Sequence, residues 1–150
     1  MDSPREIRDG EEFVLETLKT YLLENNINAD DLSIKQFPSG YSNLTYFLKS
    51  SSEEFVLRRP PFGAKSLQGG HDMFREYNVL KNLKSQFLKV PDVYLYCDNS
   101  EIIGAPFYLM ERVEGYIIRP NLQQKDSPGK EVIQNVSKSL VSTLVELHNV

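Results

Sequence analysis

Two adjacent arginines end a short apolar segment of this chain, in the stretch EEFVLRRPPFG. A β-strand over this segment places alternate side chains on opposite faces, so Arg58 shares a face with Val56 and Arg59 lies on the other. A guanidinium group binds phosphate or carboxylate oxygens through paired N–H donors, which makes one of the two arginines a candidate anion-binding residue. We expect Arg59, beside the proline turn, to reach solvent. The alternative is that both arginines are solvated at the end of the strand.

A carboxylate further along the chain favours Arg58. Glu76 begins an apolar stripe of residues at steps of four, three and four, which is typical of a helix face turned toward a core. An unpaired carboxylate in such a position is costly, so it should find a cation. Arg58 is the candidate, because its strand and this helix are neighbours in sequence. Arg75 competes, although adjacent helix residues do not face each other, and a hydrated Glu76 at the rim is a further alternative.

Two other segments can contact a ligand. The turn PSGYSN can present backbone N–H groups to a phosphate, with the side chains of Ser42 and Asn43 beside them. The apolar segment APFYLMERVEG opens into a glycine-containing linker after Glu111, and backbone groups at such a hinge can bind a planar base. A plain hairpin for the first segment, and a plain central strand for the second, are compatible with the same patterns.

The elements that position these residues follow from hydrophobic periodicity. We predict a helix over about 11–24, three strands at LSIKQF, LTYFLKS and EEFVLRR, and a helix from His71 to about Phe87. Two strands, VYLYCD and APFYLMERV, follow with the turn DNSEIIG between them, and a last helix starts at SPGKE. Five mostly antiparallel strands with one inserted helix predict an α+β fold. The last helix meets no stop signal before Val150, so we expect the chain to be the front part of a longer protein.

Composition narrows the classes of partner. The 150 residues are 40% hydrophobic and carry a formal net charge of −4, which suits one folded domain and argues against a nucleic-acid partner. The single cysteine, Cys97, cannot form an intramolecular disulfide, which favours a cytoplasmic location. Since no apolar run approaches the ~18 residues of a membrane span, we expect no membrane partner.

The order of these features resembles the N-terminal lobe of a protein kinase. Several stretches resemble the aminoglycoside-phosphotransferase-like family, in particular the subgroup that occurs alone in bacteria and ahead of acyl-CoA dehydrogenase domains in animals. The resemblance covers nearly the whole chain from Phe37 on. The stretches that carry it are GYSNLTYFL, FVLRRPP, REYNVLKNL, VPDVYLYCDNSEIIGAPFYLMERVEG and LVELH.

This resemblance implies a division of the chain into three parts. Residues 1–31 are an N-terminal helical segment, 32–114 a kinase-like nucleotide-binding lobe, and 115–150 a linker with the first helix of a mainly helical C-terminal lobe. The resemblance also implies ATP and Mg²⁺ as cofactors. The partners that it implies are a nucleotide and, for the full-length parent, a small-molecule hydroxyl substrate.

The resemblance further implies residue roles. Arg58 stands where many kinases place a lysine that holds the α- and β-phosphates, and Glu76 is its ion-pair partner. Val56 covers the adenine and Met110 is the gatekeeper beside it. The implied nucleotide-binding residues are Ser39, Gly40, Tyr41, Ser42, Asn43, Val56, Arg58, Glu76, Met110, Glu111, Arg112 and Val113.

The catalytic half of the family pattern is expected downstream of Val150. No catalytic loop with an aspartate base, and no metal-ligand set, occurs in these residues, so we predict that the 150-residue chain alone does not turn over. The alternative function is a non-catalytic nucleotide-binding or protein-interaction module. A third alternative is a structural α+β domain that shares the kinase-like order of elements by chance.

Overall fold

The structure, a computed structural model, describes residues 3–38, 42–63, 71–115 and 128–150. Its elements follow the predicted order, with one additional short helix between the last two strands. In chain order they are α1 (Leu15–Glu24), β1 (Ser33–Gln36), β2 (Leu44–Lys49), β3 (Glu54–Arg59), α2 (Met73–Lys84), β4 (Val93–Cys97), α3 (Ser100–Ile103), β5 (Phe107–Glu111) and α4 (Lys130–His148).

The five strands form one antiparallel sheet in the order β1-β2-β3-β5-β4. Because β5 inserts between β3 and β4, Arg58 of β3 lies opposite Thr45 of β2 on one side and opposite Tyr108 of β5 on the other. Helix α2, which follows β3 in the chain, packs against β4 and β5. This sheet and its inserted helix confirm the predicted α+β fold class.

One face of the sheet forms the hydrophobic core together with α1 and α3. Leu18 and Leu22 of α1 are fully buried there. Burying each such side chain contributes about 1.5–3 kcal/mol to stability. The strand residues that share it alternate along β2, β3 and β5, as Leu44, Tyr46, Leu48, Phe55, Leu57, Phe107 and Leu109.

The start of α1 is later than predicted. The helix begins at Leu15 instead of near Glu11, and Val14 before it has an extended backbone. Glu11 is held outside the helix by its own contacts. Its carboxylate accepts hydrogen bonds from Arg8 and Gln36, and its carbonyl accepts one from the buried Tyr46 hydroxyl at 2.7 Å.

The second helix is also shorter than predicted, spanning Met73–Lys84. The Asp72 side chain accepts a hydrogen bond from the backbone N–H of Arg75 at 2.9 Å and caps the helix. His71 therefore lies before the helix. Beyond its end, Phe87 is buried, as the apolar stripe predicts.

The segment predicted as a turn between β4 and β5 contains helix α3. Asn99 caps this single turn by accepting from the N–H of Glu101, and Gly104 ends it in the left-handed region, at φ 82°. Asparagine and glycine are the residues favoured at those two positions. The carbonyl of Ile103 at the end of this helix is an acceptor for Arg59.

The prediction that Arg59 reaches solvent is wrong. Arg59 is fully buried, because the face that it shares with Phe55 and Leu57 is the core face. Its Nη1 donates to the Ile103 carbonyl at 2.6 Å and its Nε to the Pro60 carbonyl at 3.0 Å. Its guanidinium carbon lies 3.6 Å from the centroid of the Phe62 ring, and burial lowers the pKa of the guanidinium.

Helix α4 begins within the predicted stretch, at Lys130, and its apolar stripe is exposed. Ile133, Val136, Leu140 and Leu144 are each at least 37% exposed. Its Glu146 pairs with Lys89, at 2.5 Å from the ammonium nitrogen. Among the described helices, none has both the length and the apolar character of a membrane span. The three-part division of the chain stays a prediction.

Candidate functional site

The site is built around an ion pair between β3 and α2. Arg58 Nε lies 3.1 Å from Glu76 Oε2, and Arg58 Nη2 donates to Glu76 Oε1 at 3.5 Å. Both side chains are about one third exposed, at 30% and 32%. The contact predicted between these residues is therefore present, and Arg58 lies on the predicted face of its strand. Within the described residues, the buried Arg58 Nε forms no hydrogen bond of good geometry.

Two further residues hold the Glu76 carboxylate. The Tyr108 hydroxyl donates to Oε2 at 2.9 Å, and the Asn43 side-chain amide donates to Oε1 at 2.8 Å. Burial raises the pKa of the Tyr108 phenol well above its usual value, against a smaller opposing effect of Arg58. The phenol therefore keeps its proton at neutral pH and remains a donor.

Sequence reasoning missed Tyr108. Its hydroxyl is the only side-chain hydrogen-bonding group inside the apolar segment FYLM, which is a local signal that a polar partner is needed. The identity of that partner depends on the pairing of β5 with β3, which places Tyr108 opposite Arg58. Periodicity within one segment carries no information on that pairing.

Asn43 lies at the end of the predicted phosphate-binding turn and is 5% exposed. Its amide oxygen is 2.8 Å from His71 Nδ1, and its amide nitrogen is bound to Glu76. With the amide nitrogen donating to the carboxylate, the His71 Nδ1–H is the donor of the first contact. Ser42 is exposed. The remaining predicted residues of this turn, Ser39, Gly40 and Tyr41, lie outside the described residues.

A cavity of about 450 Å³ opens between α2 and the sheet. Charged side chains line one part of it, and apolar side chains of α2 and β5 line the rest. Such a lining suits a ligand that combines an anionic group with an apolar or planar one. The lining residues include Arg58, Arg75, Glu76, Leu80, Tyr108 and Met110.

Val56 and Met110 lie side by side across the β3–β5 pair. Val56 is 7% exposed, whereas Met110 is more open and lines the cavity. The two residues are therefore on the face of the sheet that carries Arg58, as the predicted strand alternation requires. The side of the sheet that holds the core does not contribute to this cavity.

The end of β5 and the residues after it are held by both backbone and side-chain contacts. The backbone N–H of Glu111 donates to the Asp92 carbonyl at 2.8 Å, and the Glu111 carboxylate accepts from the Asp92 N–H at 3.0 Å. Arg112 pairs with Glu54, lies 3.2 Å from a Glu114 carboxylate oxygen, and stacks over a phenylalanine ring. Val113 is 67% exposed. The predicted hinge thus follows the end of the inner strand β5 and does not share the Arg58–Glu76 contacts.

The structure brings five predicted residues to one face of the sheet, and adds Tyr108 and His71 to them. The five are Asn43, Val56, Arg58, Glu76 and Met110. Within the ranges that the structure describes, no three histidine, cysteine or acidic side chains form a group that could hold a metal ion.

Comparison with known proteins identifies the family to which this chain is similar. A model of the phosphotransferase enzyme family matches residues 33–150. A crystal structure from Ralstonia eutropha, of a protein described as an aminoglycoside phosphotransferase, is similar over 74% of this chain, with a TM-score of 0.60 and 30% sequence identity. The matched part is 32% of that chain.

Curated relatives are much longer than this chain. Acyl-CoA dehydrogenase family member 11 of Rattus norvegicus is 38% identical over 149 residues, which are 96% of this chain and 19% of the rat protein. The Homo sapiens protein of that name is 36% identical over 118 residues, covering 79% of this chain and 15% of its own length. Family member 10 of Mus musculus is 33% identical over 138 residues, covering 90% and 12%. The chain thus spans less than a fifth of these relatives.

Proposed function

Because this chain belongs to the phosphotransferase enzyme family, we propose that it is the nucleotide-binding part of an ATP-dependent kinase acting on a small-molecule hydroxyl. The observation that carries the proposal is the Arg58–Glu76 ion pair beside a cavity of about 450 Å³. That volume lies within the range of ~300–1,000 Å³ typical of small-molecule sites.

In this proposal Arg58 binds the nucleotide phosphates. Its guanidinium keeps its charge in a half-buried site and presents several N–H donors in one plane, so it can engage two oxygens at once. Glu76 contacts Nε and Nη2 of the guanidinium, and Arg58 Nη1 forms no hydrogen bond to the described residues. A ligand oxygen is a suitable acceptor for the donors that remain.

The adenine is proposed to lie against Val56 and Met110. The Glu111 N–H is already bound to the Asp92 carbonyl. We therefore propose that the backbone groups of Arg112 and Val113 bind the edge of the adenine. The turn that contains Gly40 and Ser42 is proposed to cover the phosphates. The side chain of Asn43 contacts Glu76 and His71 instead.

Mg²⁺ remains part of the proposal, although the described residues supply no group of three ligands. A bound Mg²⁺ neutralises charge on the β- and γ-phosphates. The residues that hold it, and the base that activates the acceptor hydroxyl, are proposed to lie outside these 150 residues. The chain alone is therefore expected to bind nucleotide without transferring phosphate.

Calorimetric titration of the 150-residue chain with Mg-ATP tests this function. We expect saturable binding, and Arg58→Met should weaken it about tenfold because hydrogen bonds to charged groups are lost. Arg75→Met is the matched control, since Arg75 lines the same cavity and lies outside the ion pair. This control should change the affinity less than about threefold.

Three outcomes contradict the proposal. Absence of saturable nucleotide binding by the unmodified chain favours a protein-interaction module instead. Equal losses in Arg58→Met and Arg75→Met indicate general charge attraction. Phosphate transfer by the 150-residue chain shows that catalytic groups have been assigned to the wrong part of the protein.

A further inference from the structure

The Glu76 carboxylate receives contacts from three separate elements. Arg58 comes from β3, Tyr108 from β5, and Asn43 from the turn before β2. We propose that Asn43 and Tyr108 are positioning residues that hold Glu76, and through it the Arg58 guanidinium, in the orientation needed at the cavity. The consequence for phosphate binding rests on the proposed function, whereas the restraint of Arg58 stands on the contacts alone.

The geometry at the carboxylate explains why two donors are needed. A glutamate side chain has three rotatable bonds, and an ion pair at its two oxygens leaves it free to turn on a half-exposed surface. Tyr108 holds Oε2 at 2.9 Å and Asn43 holds Oε1 at 2.8 Å. Because Tyr108 within β5 holds one oxygen and Asn43 before β2 holds the other, the plane of the carboxylate cannot rotate without breaking one of the two bonds.

Tyr108 has no freedom to follow a moving carboxylate. It is 2% exposed and lies opposite Arg58 in the sheet, so its hydroxyl approaches Glu76 from the strand next to Arg58. The same oxygen, Oε2, is the one that lies 3.1 Å from Arg58 Nε. Tyr108 therefore acts on the guanidinium through the oxygen that the guanidinium contacts most closely.

Asn43 adds a connection that Tyr108 lacks. Its amide joins the residue directly before β2 to α2 through Glu76 and to the residue before the α2 cap through His71. Asn43, directly before β2, and the arginine proposed to bind the phosphates thus contact the same carboxylate. Asn43 is assigned here to this connection instead of to a phosphate.

The test removes each donor and leaves the ion pair in place. Tyr108→Phe deletes one oxygen atom, and Asn43→Ala deletes the amide. Tyr96→Phe and Asn82→Ala are the matched controls. Tyr96 lies opposite Tyr108 on β4, and neither control side chain donates a hydrogen bond within the described residues.

Two quantities are measured on the 150-residue chain. The first is the solvent exchange of the Arg58 Nε–H in nitrogen-15 spectra, assigned by its absence in Arg58→Met, which needs no nucleotide. We expect it to accelerate about tenfold in Tyr108→Phe and Asn43→Ala. The second is the affinity for Mg-ATP, which should fall about fivefold in both variants, because a smaller fraction of molecules holds Arg58 in the competent orientation. Both controls should leave both quantities unchanged.

The outcomes separate this inference from the proposed function. Unchanged Arg58 exchange in Tyr108→Phe overturns the inference, and this variant decides alone if Asn43→Ala does not fold. Faster exchange in a chain that binds no nucleotide supports the restraint of Arg58 and contradicts the proposed function. Faster exchange with unchanged ATP affinity overturns the positioning role for phosphate binding.

Discussion

Arg58 and Arg59 are adjacent and have opposite environments. Strand alternation directs the Arg58 guanidinium to the cavity face, where it meets Glu76, and the Arg59 guanidinium to the core face, where it is fully buried. A buried cation is costly unless its donors are satisfied. Arg59 meets part of this need with two backbone carbonyls and the face of a phenylalanine ring, while its buried Nη2 forms no hydrogen bond within the described residues. The first arginine is therefore available to a ligand and the second stabilises the fold.

We predict that Arg59→Met lowers the free energy of unfolding by about 2 kcal/mol, because the Ile103 and Pro60 carbonyls lose their donor inside the protein. Arg58→Met should cost less than about 1 kcal/mol, since both side chains of the pair that it breaks are about one third exposed. Urea denaturation followed by circular dichroism measures both. Equal losses in the two variants would show that Arg59 has no special structural role.

At the scale of elements, the short helix α3 contacts the end of β3 through the side chain of Arg59. Its last carbonyl, of Ile103, accepts the Arg59 hydrogen bond, and Gly104 follows in the left-handed region. An added Cβ at Gly104 meets the Phe62 ring at 3.3 Å. Glycine is thus required there for its backbone conformation and for the space beside the Arg59–Phe62 stack.

We predict that Gly104→Ala destabilises the chain more than Gly10→Ala does. Both glycines have similar φ values, 82° and 79°, so both substitutions carry the left-handed penalty of about 1 kcal/mol. Only Gly104 has a side chain within 4 Å of the added Cβ, which should raise its cost to about 2 kcal/mol. Thermal unfolding of the two variants provides the comparison, and a loss at Gly10 as large as at Gly104 would contradict it.

At the scale of the whole molecule, the two faces of the sheet have different roles. The face toward α1 and α3 is a continuous apolar core, and the face toward α2 carries an ion pair, a tyrosine hydroxyl and a cavity. Neighbouring residues of β5 contribute to opposite faces. Leu109 is fully buried in the core, and Met110 lines the cavity.

Substitutions at these two neighbours should separate stability from binding. Leu109→Ala should lower the free energy of unfolding by about 3 kcal/mol through cavity formation, with little change in the ATP affinity of the folded fraction. Met110→Ala should weaken ATP binding and cost less stability, because its side chain is already partly exposed. Denaturation curves and calorimetry on the same samples test this, and matching profiles for both variants would refute the division of roles.

Some of the candidate site is readable from local patterns. The alternation of β3 separates Arg58 from Arg59, and the spacing from Glu76 onward turns that carboxylate toward the sheet. Both patterns involve neighbouring residues of one element, so they need no knowledge of how elements pack. Asn43 and Tyr108 bind Glu76 across 33 and 32 residues of sequence, and no local pattern predicts such contacts.

The sequence by itself determined the order of the main elements, the family resemblance and the opposite directions of the two arginines, because periodicity and residue type act over a few residues. Only the tertiary structure decided which direction is inward. The packing of α1 and α3 makes the Leu57 face the core and buries Arg59, and the insertion of β5 beside β3 brings Tyr108 to Glu76. These outcomes depend on the pairing of segments that are distant in sequence. The free energy of that pairing is shared among many residues, so no single residue or short pattern predicts it.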